Sequence, residues 1–287
     1  MGYLHIENLY KAQDILLFKE CYALEKIHGS SSHITWKDGR LQLSSGGADT
    51  KEFSSLFDIP ALEGKFKELI GDGQSATVYG EAYGGKLMGM SETYGPSLRF
   101  VAFDVKIGGL WLAVPQAAKL VENLGLEFVH YNKVLTRLKD LDGERDADSV
   151  QAIRNGVGPD KIREGVVLRP LIELRKNNDE RIIAKHKRDE FRETSSPRPA
   201  TIDPERLKKL EDANEIADEW VTAMRMEHIL GKMTGELSPR RTPEVIAAMQ
   251  EDVLREGDGE IVDSPEVRKA IGRKAAEMLQ QHLKGKT

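Results

Sequence analysis

Cysteine is almost absent from this 287-residue chain, with Cys21 standing alone. An internal disulfide is therefore excluded, and a reducing, cytoplasmic setting is the expected home. Cys21 lies in an apolar run, where a small packed hydrophobe is a commoner role than a nucleophile. No uninterrupted apolar stretch approaches the ~20 residues of a membrane span, so no membrane partner is expected. A signal-peptide pattern is missing as well, because His5, Glu7, Asn8 and Lys11 interrupt the N-terminal segment. Excess positive charge is missing too: the formal net charge is −5. Nucleic-acid binding would have to rest on a local basic patch rather than on bulk charge. No internal repeat is visible, and nothing points to an obligate protein partner.

What is present suffices for a real core. Apolar residues make up 39% of the chain and charged residues 31%, in a length suited to one large domain or two. A polar stretch with two prolines, Glu193-Thr194-Ser195-Ser196-Pro197-Arg198-Pro199, reads as a linker. It divides the sequence into residues 1–198 and 199–287. The front reads as a mixed antiparallel α+β domain. Strands are expected at Cys21 to Leu24, His33 to Trp36, Thr77 to Ala82, Leu98 to Val105, Glu164 to Leu168 and Ile182 to Lys185. Helices are expected at Leu62 to Ile70, from Pro115, at Tyr131 to Lys139 and after Asp148, with a short one within Ile6 to Phe18. The back reads as a small all-helical domain. One helix spans Pro204 to His228, and two more open at Thr242-Pro243-Glu244 and Ser264-Pro265-Glu266, each with a polar cap, a proline and an acid.

The chemistry starts at Glu25-Lys26-Ile27-His28-Gly29. A lysine closing an apolar strand before a glycine is a candidate covalent nucleophile. On this reading Gly29 turns the chain back into His33 to Trp36 and leaves room for a bulky substrate. So short a pattern more often marks a surface lysine beside a hairpin, and its weight comes from four clusters farther along the chain. Val78-Tyr79-Gly80-Glu81 places a carboxylate on a strand. Phe100-Val101-Ala102-Phe103-Asp104 is a buried strand with an aromatic at its start and an acid at its end. Glu164-Gly165-Val166-Val167-Leu168 brings a third carboxylate to the entry of an apolar strand, and Lys185-His186-Lys187 projects two lysines from one strand face. Each cluster alone could be structural. Together they suit transfer of a nucleoside monophosphate through a lysine. Neighbouring cations favour the neutral nucleophile and hold a phosphate, carboxylates suit Mg²⁺, and a ring can stack a purine.

These motifs, in this order, resemble the covalent nucleotidyltransferase superfamily of ATP-dependent DNA ligases, RNA ligases and mRNA capping enzymes. The Glu-Lys-Ile-His-Gly-Ser form and the upstream Ile6-Glu7-Asn8-Leu9-Tyr10 are similar to the phage-type RNA ligase 2 family, which includes the kinetoplast RNA-editing ligases. The resemblance implies an antiparallel-sheet nucleotidyltransferase (ATP-grasp-like ligase) domain followed by a small helical domain. It implies ATP and Mg²⁺ (or Mn²⁺) as cofactors. RNA with 3′-hydroxyl and 5′-phosphate ends, chiefly nicked duplex, is the implied partner. Lys26 would accept AMP, with Glu25, Ile27 and Gly29 around the nucleotide. Lys185 and Lys187 would hold the phosphate, Glu164 the metal, Glu81 the ribose or the metal, and Phe100 the adenine.

The sequence departs from the family at two arginines. One position holds Leu24 and the other falls at Ser44-Ser45, so Lys37, Arg40 or Lys51 would have to supply a phosphate contact. In the back region Arg240, Arg241, Lys269, Arg273 and Lys274 are candidate phosphate contacts. The alternatives are a DNA ligase or guanylyltransferase of the same superfamily, or a non-catalytic RNA-binding module.

Overall fold

A computed structural model describes residues 2–176, 178–191, 204–233, 236–258 and 260–284. The expected linker at 193–199, and with it the boundary read at residue 198, lies outside these residues. The chain packs as two compact units. Met1–Ile15 with Glu20–Pro197 forms one, and Leu16–Lys19 with Arg198–Thr287 forms the other.

The first unit is built on two antiparallel sheets. Its strands are β1 (Glu20–Lys26), β2 (Ser30–Lys37), β3 (Arg40–Ser45), β4 (Ala76–Gly84), β5 (Leu98–Ile107), β6 (Leu110–Trp111), β7 (Tyr131–Leu135), β8 (Gly165–Pro170) and β9 (Ala184–Lys187). The first sheet has the order β7-β1-β8-β9 and the second β3-β2-β4-β5-β6. Helices α1 (Thr50–Ser54), α2 (Ile59–Ile70), α3 (Ser91–Tyr94), α4 (Val114–Asn123), α5 (Leu138–Asp146) and α6 (Val150–Arg154) fill the connections. Pro115 sits in the first turn of α4, where its missing N–H costs nothing. The core gathers Ile34, Trp36, Val78, Val101 and Val105 from the second sheet with Phe66 of α2 and Val121 of α4. Alternation along the strands leaves their other residues on the opposite face.

Three expectations fail here for physical reasons. β1 and β2 are not a hairpin, because they belong to different sheets. Residues 27–29 carry the chain from one sheet to the other, with Ile27 buried in the core. Gly29 does not open space for a ligand. A Cβ there would lie 2.3 Å from the Ala82 carbonyl oxygen and 2.9 Å from the Tyr83 Cβ, so it lets the crossing chain lie against β4. The stretch Tyr131 to Lys139 is also not a helix. Its first half is β7, paired with β1 from Tyr131↔Leu24 to Leu135↔Glu20, and α5 begins only at Leu138. Aromatic and β-branched residues suit that half-buried strand, and the Tyr131 ring meets Tyr22 at 5.6 Å.

The second unit contains helices α7 (Pro204–Trp220), α8 (Ala223–Lys232), α9 (Thr242–Glu256) and α10 (Pro265–Lys284). Val245, Met249, Ile271 and Leu279 are fully buried at its centre. The single helix expected over Pro204 to His228 is two. Thr222 takes an extended backbone and its hydroxyl accepts from the Arg225 N–H, so α8 starts afresh. Leu16, Leu17 and Phe18 are buried, and the Arg273 guanidinium lies 4.5 Å from the Phe18 ring.

Candidate active site

Lys26 closes β1 and pairs with Gly165 of β8, which in turn pairs with Lys187 of β9. The two lysines thus share one row of the first sheet, separated by a residue with no side chain. Gly165 has φ +146°, and a Cβ on it would lie 2.2 Å from the His186 carbonyl oxygen. Its neighbour Glu164 is 1% exposed and projects into the gap. Glu164 Oε2 accepts from Lys26 Nζ at 2.9 Å and lies 3.2 Å from His28 Nδ1, while Oε1 meets Lys187 Nζ at 2.9 Å. Burial alone would raise the Glu164 pKa. The His28 hydrogen bond and the Lys26 and Lys187 charges outweigh it and bring the carboxyl down to about 2.

A cavity of about 410 Å³ opens beside this row. Lys26, Glu81, Phe103, Arg169 and Lys185 line it, with the segment Tyr3 to Ile6 as a further wall. Burial, reinforced by the Glu164 charge and opposed by Lys26, raises the Glu81 carboxyl to about 7. Lys185 and Lys187 share a strand face, as alternation requires, but take different stations: Lys185 at the cavity, Lys187 on Glu164. His186, between them, turns the other way and meets Asp142 of α5 at 2.7 Å. The edge of β9 is held by Glu7 and Leu9, whose backbones bond to Lys185 in both directions.

The other expected site residues are placed differently. Ile27 and the backbone of β1 border the cavity, but the Glu25 carboxylate serves the fold. It accepts from the Ser149 hydroxyl at 2.6 Å and from the Gln151 N–H at 3.2 Å, holding the start of α6. Burial raises its pKa, which those donors and Arg163 partly offset. Phe100 packs against Phe53 and Phe57, with ring centroids at 5.7 and 5.6 Å. The ring of β5 on the cavity wall is Phe103. The cause is a bulge: Tyr79 pairs with Asp104 but Gly80 with Ala102, so Phe103 is an extra residue that breaks the alternation.

Two groups are not evident from the sequence. His28 touches Glu164 directly, and its place two residues after Lys26 is the available signal. Asp104, buried below the cavity, takes Arg169 at 2.9 Å, Arg181 at 2.6 Å and the Tyr3 hydroxyl at 2.7 Å, and Glu173 bonds both arginines. These partners lie too far apart in sequence for any motif to reveal. Of the candidate replacements for the missing arginines, Lys37 and Arg40 stand at the far end of β2 and β3. That is roughly 20 Å along the strand from Ser31 at the cavity. Lys51 lies on α1, just after the loop in which Gly46 bonds to the Ser31 carbonyl. In the second unit, Arg241 pairs with Glu244 and Lys274 with Asp218.

The model of the family described as RNA ligase matches residues 19–187, more than half the chain, including Glu164 and the whole of β1, β8 and β9. The chain belongs to the RNA ligase family. Its fold is similar to that of RNA ligase from Naegleria gruberi. An apo form gives a TM-score of 0.52 at 15% identity, and a form with AMP and manganese gives 0.51 at 15%, each over 67% of this chain and 57% of that one. A form with ATP and manganese gives 0.51 at 14% identity, over 74% of this chain and 58% of that one. This RNA ligase family chain therefore spans less than two thirds of the ligase chains it matches. No curated protein matches it.

Proposed function

We propose that this chain is an ATP-dependent RNA ligase that joins 3′-hydroxyl and 5′-phosphate ends through lysyl-AMP and RNA-adenylate intermediates. The observation that carries the reading is the row Lys26–Gly165–Lys187 converging on Glu164 beside a cavity of nucleotide size. ATP and AMP with manganese occupy the Naegleria ligases of the same fold.

In this reading the neutral Lys26 Nζ attacks the α-phosphorus of ATP. The P–N bond forms and the bond to pyrophosphate breaks. Lys185 and Lys187 hold the phosphoryl oxygens as charge shifts onto them. The lysyl-AMP then passes AMP to the RNA 5′-phosphate, and the 3′-hydroxyl displaces AMP to close the strand. Phe103 is the ring placed to face the base. Among the described residues no cluster of three or more metal-ligating side chains exists. Glu164 and Glu81 are the carboxylates that would hold a Mg²⁺ ion, a hard cation that takes oxygen ligands, and such an ion would supply charge neutralisation at the phosphates. Nicked duplex RNA is the favoured substrate, with residues 1–198 performing adenylylation and 199–287 holding RNA. Among the described residues no helix is long and apolar enough to cross a membrane.

The test is to incubate the protein with ATP and Mg²⁺, look for the AMP adduct by intact mass, and then offer nicked RNA, RNA–DNA hybrid and single-stranded ends. An adduct from GTP alone would make the chain a guanylyltransferase. Sealing of DNA nicks in preference to RNA would make it a DNA ligase, and no adduct from either nucleotide would leave a binding module.

A further inference from the structure

The second sheet has a face that the adenylylation chemistry does not use. Its inner side carries Ile34, Trp36, Val78 and Val105 into the core. On the outer side, one cross-strand row runs Gln42–Thr35–Thr77–Lys106–Trp111. The next row toward the cavity is Ser44–His33–Tyr79. Beyond the first row, Lys37 and Arg40 stand opposite each other at the hairpin end.

The composition of this face is selective. The row through Thr35 holds two hydroxyls and an amide, with Thr35 Oγ1 and Thr77 Oγ1 3.1 Å apart. Lys106 Nζ is held 5.4 Å over the Trp111 ring, which fixes a cation among the polar groups. Among the described residues, Lys37, Arg40 and Lys106 make no ion pair. With Asp38 in the turn, the outer rows carry a local charge of plus two in a chain whose net charge is −5. The face adjoins the cavity at Ser31, two residues before His33 on β2, with the buried Tyr79 ring beneath. The Tyr79 ring lies 5.1 Å from Tyr3, and both Tyr3 and Ser31 line the cavity wall.

We propose that this outer face is the track along which an RNA strand approaches Lys26. Phosphates lie against Lys106, Lys37 and Arg40, and ribose hydroxyls lie against Gln42, Thr35 and Thr77. The inference rests on the RNA ligase reading. It adds a surface roughly 20 Å long, the length of several nucleotides, and a source of preference for ribose over deoxyribose. Charge complementarity selects a polyanion, and the row of hydroxyl and amide groups selects one that offers 2′-hydroxyls.

The experiment uses the full chain with Lys37→Gln, Arg40→Gln and Lys106→Gln combined, and separately with Thr35→Val and Thr77→Val combined. Binding of end-labelled RNA is read by fluorescence anisotropy across a salt series, and Lys26–AMP formation is read in parallel. The lysine–arginine variant should adenylylate as the parent does and melt at the same temperature. It should bind RNA about tenfold or more weakly, with the salt slope reduced by roughly two to three. The threonine variant should lose preference for RNA over the same DNA sequence. An unchanged affinity and slope in the first variant would overturn the track and leave an ordinary solvated sheet face. A parent protein that forms no adduct would instead overturn the ligase reading, and the anisotropy series would still judge the surface.

Discussion

Lys26 and Lys187 stand in one row of the first sheet with only Gly165 between them, and each donates to a different oxygen of Glu164. The arrangement holds the Lys26 amino group in place beside the cavity. In the proposed mechanism attack requires this contact to open, and Lys187 and His28 remain on Glu164 when it does.

Lys26→Ala should therefore abolish the AMP adduct without unfolding the protein, since Glu164 retains Lys187 and His28. Intact mass after incubation with ATP and Mg²⁺ is the measurement. An adduct on the variant at the parent's level would remove Lys26 from the mechanism.

Glu164→Gln removes the charge that both lysines share but keeps the size of the side chain. Adenylylation should fall by about a hundredfold, the usual cost of losing a preorganised electrostatic contact at a phosphoryl transfer. Single-turnover rates over a Mg²⁺ titration decide it. A normal rate at every concentration would leave Glu164 a purely structural acid.

Glu164 also sets an acid limit on stability. Its folded pKa of about 2 lies below the ordinary glutamate value of ~4.3. The stabilisation is therefore complete above the unfolded value and is lost as pH falls from there through the folded one. It amounts to on the order of 3 kcal/mol. Urea melts at a series of pH values should show the loss in the parent, and Glu164→Gln should flatten this part of the profile. Parallel profiles for the two proteins would contradict the linkage.

Gly29→Ala tests the crossing between the sheets. The added methyl would meet the Ala82 carbonyl at 2.3 Å. Overpacking of this kind costs about 1–3 kcal/mol, or a Tm lower by roughly 3–10 °C. Calorimetry measures it, and an unchanged Tm would show that β4 gives way freely.

The sequence discloses those parts of the site in which chemistry dictates residue type. Lys26, Glu164 and the Lys185/Lys187 alternation are legible as a group because the proposed nucleophile, carboxylate and phosphate clamp each demand a particular side chain, and the structure brings Lys26, Glu164 and Lys187 together. The positions of the rings are not. A single extra residue in β5 exchanges Phe100 for Phe103 at the cavity, and a bulge leaves no mark in the apolar pattern. β7 is hidden because its strand character comes from pairing with β1, more than a hundred residues earlier in the chain. The crossing at Gly29 is hidden for the same reason: a glycine after a strand looks alike whether the chain turns back or moves to another sheet.

The membership of Leu16–Lys19 in the second unit has a consequence for synthesis. These residues are translated well before the rest of their unit, which begins at Arg198. At ~5–20 residues per second, the intervening stretch takes roughly 10–40 s to translate. Throughout that interval the helices that complete the unit do not yet exist, and Leu16, Leu17 and Phe18, buried in the finished protein, wait for them. The nascent chain thus carries an exposed apolar segment until the helices of that unit have been made. Any pause or premature stop soon after β9 leaves that segment open to chaperones.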